Sequence, residues 1–146
     1  LSEGALNAIE SEANRWLSAL SDGTMTVRFD PVKGGKERID TTITFNGIER
    51  PLLALSGGEK RRVNLAVDLG VAAAFTRGGA LALSLLVCDE EVFSGMDERG
   101  KAAVIHALTG AGVRDVVLID HDARLTGALP RTIEVKRGAD GWSMIA

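Results

Sequence analysis

The stretch Leu55–Arg62, LSGGEKRR, decides how the rest of this 146-residue chain is interpreted. Ser56 and Glu59 stand three residues apart just before an apolar segment, which is the pattern of a capping box at the start of a helix. The two glycines between them leave backbone N–H groups uncovered, and helix N-termini bind phosphate through such groups. The stretch therefore predicts a helix N-terminus and leaves open whether it is an ordinary cap or faces a phosphate.

Length and composition are those of one globular unit. A chain of 146 residues that is 45% hydrophobic can form one core but not two comfortable domains. The formal net charge of −3 gives no general attraction for nucleic acid or an anionic membrane. The single cysteine, Cys88, excludes an intramolecular disulfide and lies in an apolar run that is too short to span a bilayer. We therefore expect no membrane partner.

The first part of the chain predicts a helix followed by an antiparallel β-meander. Apolar residues recur every three or four positions over residues 2–20, as on one face of an amphipathic helix. Residues 24–30 and 39–45 alternate between apolar and polar, which predicts two strands. The Asn46-Gly47 pair is a strong hairpin signal, and a third short strand is expected to reach about Leu53.

The second part predicts helices that alternate with buried parallel strands. The continuous apolar run at 81–88 is typical of a parallel strand that is covered on both faces, and RDVVLID (114–120) predicts a second buried strand. The fold class is therefore α/β, with parallel strands and helices plus the antiparallel meander. Predicted helices span 56–76 and 97–108, with a short one near 122–127, and a final antiparallel pair follows Pro130.

Polar groups follow both predicted parallel strands. Asp89 and Glu90 come directly after the first strand, and Asp120 and His121 end the second. Ligand chemistry in α/β sheets is found at the carboxyl ends of the strands. An aspartate there can hold Mg²⁺, and a neighbouring glutamate can orient or deprotonate water. Taken alone, the Asp-Glu pair is equally well explained as a solvated acidic turn.

The order of these motifs resembles the C-terminal half of an ABC-type ATPase. LSGGEKRR is similar to the ABC signature motif, LLVCDE to the Walker B strand, SGMD (94–97) to the D-loop, and Asp120-His121 to the switch-histidine loop. Within that superfamily the chain resembles the C-terminal lobe of SMC-like DNA repair ATPase heads. The SbcC-type exonuclease subunits and their phage counterparts are the most similar group.

Three features favour this group over transporters. Glu59 stands where transporters usually have glutamine, and the interval from Ser56 to Asp89 is longer than in typical transporter domains. The segment before the signature is a helix plus a meander, with no helical subdomain. The resemblance implies that the helix at 2–20 is the base of a coiled-coil arm.

A phosphate-binding Walker A loop is missing from the sequence. Residues 95–101 spell G-x-x-x-x-G-K, but Ala102 follows where a Mg²⁺-binding hydroxyl is needed, and Asp97 and Glu98 would repel phosphate. The resemblance implies that Walker A lies in an N-terminal lobe beyond the coiled coil. The whole of residues 1–146 is then a single lobe that completes an ATP site only together with the N-terminal lobe of the same protein.

The resemblance also implies a role for each site residue in a dimer of two heads that sandwiches two ATP molecules. On one ATP, Asp89 holds Mg²⁺, Glu90 polarises the attacking water and His121 contacts the γ-phosphate. The second glutamate, Glu91, leaves open which carboxylate is hydrolytic. The residues expected to face the ATP of the opposite head or the dimer interface are Ser56, Gly57, Gly58, Glu59 and Asp97.

The function implied by the resemblance is an ATP-hydrolysing head whose dimerisation controls the processing of DNA ends by a partner nuclease, in the cytoplasm and associated with the nucleoid. Alternatives are chromosome organisation or recombination of the RecF or RecN kind, a transporter nucleotide-binding domain, and a non-catalytic head. DNA contacts are not visible in the sequence. The basic candidates are Lys33, Lys36, Arg38, Arg61 and Arg62.

Overall fold

The computed structural model describes residues 2–32, 38–77, 84–110, 113–122 and 129–146, together with residues 125 and 127. The helices in these ranges are α1 (Glu3–Leu20), α2 (Gly57–Arg77) and α3 (Glu98–Thr109). The strands are β1 (Met25–Val32), β2 (Arg38–Phe45), β3 (Ile48–Arg50), β4 (Leu85–Cys88), β5 (Asp115–Leu118), β6 (Val135–Arg137) and β7 (Ser143–Ile145). Within the same ranges, no helix is both long and apolar enough to cross a membrane.

Helix α1 packs its apolar stripe against α2. The Ser2 hydroxyl caps the helix by accepting a hydrogen bond from Ala5 N at 3.3 Å. At the crossing, a Cβ added to Gly70 of α2 would lie 2.7 Å from the backbone nitrogen of Ala13. The two backbones therefore touch, and a larger residue than glycine would push the helices apart. The buried residues of the stripe are Leu6, Ile9, Glu12, Ala13, Trp16, Leu17 and Leu20.

The meander has the antiparallel order β1-β2-β3. Met25 pairs with Phe45 across β1 and β2. The Asn46-Gly47 turn has positive φ at both residues, 49° and 79°, which is the conformation that this dipeptide favours in a two-residue hairpin. The first two strands, and the turn that joins β2 to β3, are thus formed as the sequence predicts.

Side chains of helix α1 also form hydrogen bonds with the backbone at the outer edge of β1. The other edge of β1 is paired with β2. The Asn14 amide donates to the Val27 carbonyl at 2.7 Å and accepts from Val27 N at 2.8 Å. One turn earlier, Glu10 Oε2 accepts from Phe29 N at 2.7 Å. These side chains replace the hydrogen bonds of a neighbouring strand, so α1 is fixed to the meander as well as to α2.

Strands β4 and β5 pair in parallel, with Cys88 opposite Leu118. Their inner face joins the core, and burial raises the pKa of the Cys88 thiol. Their outer face is bare, because Val87 is 54% exposed and its neighbours on that face are similarly open. The prediction of a strand covered on both faces is therefore wrong for this chain. The exposed residues of this outer face are Leu85, Val87, Val117 and Ile119.

The other predictions hold with shifted boundaries. The third strand ends at Arg50 instead of about Leu53, because Pro51 has no N–H for the ladder and the chain turns into a single 3₁₀ turn at Leu52–Ala54. The predicted strand 114–120 is shorter and corresponds to β5, and the final antiparallel pair is β6 with β7. The helix expected near 122–127 lies largely outside the described residues. The α/β class, with parallel strands and a meander, is confirmed.

Replacing Asn14 with Ala should lower the free energy of unfolding by about 1–3 kcal/mol, because the N–H and carbonyl of Val27 lose their partners in a half-buried place. The free energy is measured by urea denaturation. Asn7→Ala is the matched control, since Asn7 is exposed on the same helix and gains the same helix propensity. Equal effects of the two substitutions would show that the edge contact does not stabilise the fold.

Candidate functional site

The signature helix α2 begins with the capping box that its sequence predicts. Ser56 N donates to Glu59 Oε2 at 2.6 Å, and Glu59 N donates to Ser56 Oγ at 3.3 Å. The hydrogen bonds from the backbone and hydroxyl of Ser56 hold the pKa of Glu59 below its usual value. A charged carboxylate thus remains at a helix N-terminus, where the dipole favours it. Both Ser56 and Gly57 are exposed at this end.

The two signature glycines have different surroundings. Nothing lies within 4 Å of a Cβ placed on Gly57, whereas one placed on Gly58 would lie 2.8 Å from the carbonyl oxygen of Gly95. Gly58 is therefore needed for contact with the SGMD loop, and Gly57 faces open space. Both glycines were expected to have the same role, because the partner of Gly58 is 37 residues away and only the fold reveals it.

An open cleft of about 580 Å³ lies beyond the carboxyl ends of β4 and β5. Glu90 and His121 meet there, with His121 Nδ1 3.1 Å from Glu90 Oε2. Both side chains are exposed, at 56% for Glu90 and 86% for His121. The cleft is lined by Arg61, Glu90, Glu91, Phe93, Ser94, Gly95, Met96, Lys101, Asp120, His121 and Asp122.

The two adjacent glutamates have different partners. Glu90 contacts the histidine, whereas Glu91 Oε2 accepts from Arg61 Nη1 of the signature helix at 3.4 Å. The Glu91 pair is long and its carboxylate is largely exposed, so it contributes little to stability. Strand β4 ends at Cys88, as the sequence indicated, which places Glu90 and not Glu91 beside His121.

Two other aspartates cap local structure at the rim. Asp89 Oδ1 accepts from Glu90 N at 2.7 Å, and Asp97 Oδ1 accepts from Gly100 N at 2.8 Å at the start of α3. Neither residue lines the cleft, and neither do Ser56, Gly57 or Gly58. The fold therefore brings Glu90 and His121 together and leaves the remaining predicted site residues around them.

The residues fit a Mg²⁺ ion only as part of a larger ligand set. No group of three His, Cys, Asp or Glu side chains in the described ranges could hold a metal. Mg²⁺ in phosphoryl-transfer sites is held by one or two carboxylates, with nucleotide oxygens, water and a hydroxyl completing the shell. The exposed carboxylate of Asp89, at the end of a parallel strand, suits one such position.

One ion pair in the cleft was not anticipated from the sequence. Lys101 Nζ of α3 lies 2.8 Å from Asp122 Oδ2, and both side chains are largely buried. In the sequence, Lys101 is notable only because it ends the false Walker A pattern at residues 95–101. Its true partner lies 21 residues further along the chain, so no local pattern could have identified it.

The described basic residues among the DNA candidates are Arg38, Arg61 and Arg62, and each has different surroundings. Arg38 pairs with Asp40 on the meander, and Arg61 pairs with Glu91 in the cleft. The Nε atom of Arg62 is buried. Lys33 and Lys36 lie outside the described residues.

Comparison with known proteins gives both relatives and structural neighbours. No family model matches the chain. The chain is 24% identical over 143 residues to a probable exonuclease subunit 2 of Escherichia phage T5, covering 98% of the chain and 22% of that protein. It is 26% identical over 140 residues to a DNA double-strand break repair Rad50 ATPase of Archaeoglobus fulgidus, covering 93% of the chain and 15% of that protein. The chain thus spans less than a quarter of either relative.

SMC heads are among the solved structures that match. One, from work on the ATP-driven dimerisation and DNA-stimulated activation of SMC ATPases, matches with a TM-score of 0.80 at 17% identity over 98% of this chain and 84% of that one. Another, an Smc head bound to the C-terminal winged-helix domain of ScpA, matches with a TM-score of 0.77 at 16% identity, over 98% of this chain and 43% of that one. The chain therefore has the α/β fold of SMC head domains and is related to a Rad50 ATPase and a phage exonuclease subunit, which confirms its resemblance to the C-terminal lobe of an SMC-like ATPase head.

Proposed function

We propose that this chain is the C-terminal lobe of an ATP-hydrolysing head that acts in DNA double-strand-break repair. The observation that carries the proposal is the contact of Glu90 with His121 where two parallel strands end. A glutamate and a histidine in that place are the groups that a nucleotide hydrolase needs to orient water and contact phosphate. The relationship to a repair ATPase and an exonuclease subunit supports the same assignment.

The chemistry follows from the positions of the side chains. Asp89 would hold Mg²⁺, which neutralises charge on the nucleotide phosphates when it is bound. Glu90, as an ionised acceptor, orients water and takes its proton. Glu90 Oε2 lies within hydrogen-bond distance of His121 Nδ1, and the opposite ring nitrogen, Nε2, donates to the γ-phosphate when both ring nitrogens carry a hydrogen. Because both side chains are exposed, the pair needs further surfaces to exclude solvent from the reaction.

The bare outer face of β4 and β5 supports the need for a second lobe. Four aliphatic side chains are exposed together there, and such contiguous patches mark interaction surfaces. We infer that the N-terminal lobe, which carries Walker A, covers this face and completes the ATP site. The C-terminal segment also exposes individual apolar side chains, those of Ile133, Val135, Trp142, Met144 and Ile145.

The signature end of α2 serves the second head in this proposal. The exposed hydroxyl of Ser56 and the open space at Gly57 suit contact with a phosphate, and the helix dipole favours the anion. Two heads then close around two ATP molecules, with Asp97 and its loop at the interface. Closure and release of the heads would control a partner nuclease on DNA.

A chromosome-organising role is the second candidate. It is favoured by the structural likeness to Smc heads, one of which was solved with ScpA bound. The two roles differ in the partner that the complete head captures: a nuclease subunit in the first, and a winged-helix protein in the second. Co-purification of the complete protein with each class of partner distinguishes them.

Replacing Glu90 with Gln in the complete head should reduce ATP turnover by about a hundredfold or more, because general-base catalysis typically contributes 10²- to 10⁴-fold. Nucleotide-dependent dimerisation should persist, since the amide keeps the size of the carboxylate. Turnover is measured by phosphate release and dimerisation by light scattering with and without ATP.

Glu91→Gln is the matched control, because it removes the adjacent carboxylate that contacts Arg61 and not His121. We expect the ATP turnover of this variant to stay within about threefold of the wild type, because an exposed ion pair such as Arg61–Glu91 contributes little energy. Loss of turnover in Glu91→Gln with normal turnover in Glu90→Gln would reverse the assignment. Normal turnover in both would exclude hydrolysis through this cleft.

Replacing Val117 with Lys should weaken assembly with the N-terminal lobe by at least about tenfold, because an ammonium would be buried in place of an apolar side chain. The fold of the chain itself should be unaffected, since Val117 is 45% exposed. Assembly is measured by calorimetric titration of the separately produced lobes. Ile48→Lys is the control, on the exposed meander strand β3, and an equal effect there would contradict the proposed contact face.

A further inference from the structure

The place of His121 depends on its backbone more than on its own packing. Its ring is 86% exposed, and its contacts are the 3.1 Å approach to Glu90 and a 4.0 Å approach to Asp120 Oδ1. An exposed ring with few neighbours moves freely between rotamers unless the chain beneath it is fixed. What holds residues 120–122 in place therefore decides how often His121 lies beside Glu90.

Hydrogen bonds among the described residues hold this segment and the residue before it. Ile119 N donates to the Cys88 carbonyl at 2.8 Å, which extends the parallel ladder by one residue beyond β5. Asp122 N donates to Asp120 Oδ1 at 2.7 Å and closes a tight turn around His121. A tertiary contact joins the segment to α3, because Asp122 Oδ2 lies 2.8 Å from Lys101 Nζ on that helix.

The Lys101–Asp122 pair is far less exposed than the ion pair of Arg99 with Asp22 on the same helix. The Lys101 and Asp122 side chains are 14% and 12% exposed, whereas those of Arg99 and Asp22 are 84% and 62% exposed. Charges withdrawn from water attract each other more strongly than exposed ones. The hydrogen bond to Asp122 also raises the pKa of Lys101, so the ammonium stays charged.

The turn of α3 that contains Lys101 is also capped by Asp97, the last residue of the SGMD loop. Asp97 Oδ1 accepts from Gly100 N at 2.8 Å, and Lys101 N donates to the Asp97 carbonyl at 3.0 Å. The loop that contacts Gly58 of the signature helix and the anchor of His121 are therefore joined by one helical turn. A displacement of the loop would be carried to the histidine through Lys101.

We propose that Lys101 is a positioning residue for ATP hydrolysis, which acts through Asp122 to hold His121 within reach of Glu90. This inference rests on the proposed ATPase function. Lys101 does not contact the nucleotide in this scheme, although it lines the cleft, because its ammonium is engaged by Asp122. It links the SGMD loop to the histidine, so that the loop's position at a head interface sets the position of the histidine.

The test replaces Lys101 with Met in the complete head. We expect kcat to fall about tenfold or more, since small misplacements of reacting groups have effects of this size, while the KM for ATP stays within about twofold. Asp122→Asn should produce the same defect, and the double variant should be no slower than either single one. Lys101→Arg should restore most of the activity, because it retains the charge and the donors.

A second measurement needs no nucleotide. In Lys101→Met, hydrogen exchange at the amide of Asp122 should be about tenfold faster or more, since the turn that protects this amide loses its tertiary anchor. Arg99→Met is the matched control, because it breaks an exposed ion pair of the same helix and should change neither kcat nor this exchange rate.

The outcomes separate the two proposals. An inactive wild-type head would contradict the ATPase function, whereas the exchange measurement would still test the link from Lys101 to the His121 turn. An active wild-type head whose Lys101→Met variant shows a raised KM with normal kcat would identify Lys101 as a nucleotide ligand and overturn the inference. Normal kcat in Asp122→Asn, or unchanged exchange in Lys101→Met, would overturn it as well.

Discussion

Parallel pairing of β4 with β5 sets the positions of Glu90 and His121 in the cleft. Cys88 and Leu118 are opposite each other at the last pair, so Glu90 and His121 leave the sheet at the same edge. A slip of one residue would turn the side chains of a strand to the opposite face and separate the pair. The register is secured by the apolar inner face, where Cys88 is buried in the core, and by the bond from Ile119 N to the Cys88 carbonyl.

Close backbone contacts at two glycines fix the position of the signature helix α2. Gly70 lets α2 lie directly against α1 at Ala13, and Gly58 lets the start of α2 lie against Gly95 of the SGMD loop. Neither contact tolerates a side chain without movement of backbone. The orientation of the N-terminus of α2 is thus determined both by its contact with α1 and by the loop that leads into α3. In the proposed head, a shift in α1 or in a dimer interface would reach the cleft along these contacts.

Local patterns in the sequence predicted local structure well. Neighbouring residues alone predict the capping box at Ser56 and the Asn46-Gly47 turn. The contact of Glu90 with His121 follows from the rule that parallel strands end at the same edge of a sheet. Tertiary partners were not predictable in this way, as for Lys101 with Asp122 and Gly58 with Gly95. The wrong prediction that β4 is covered on both faces has a different cause. The hydrophobicity of Val87 indicates that it favours burial, but it does not indicate whether the covering surface belongs to the same chain.

The bare face and the open cleft have one explanation. Electrostatic contacts between catalytic groups are weak in water and strengthen when solvent is excluded, and both Glu90 and His121 are more than half exposed here. Covering β4 and β5 with the second lobe would bring the Walker A side of the ATP site to this edge, and a second head would close it from the signature side. Each step removes water from the Glu90–His121 pair and so strengthens it. In the proposed cycle, assembly of the head is therefore itself what activates the site, and a lobe that is left alone stays inactive.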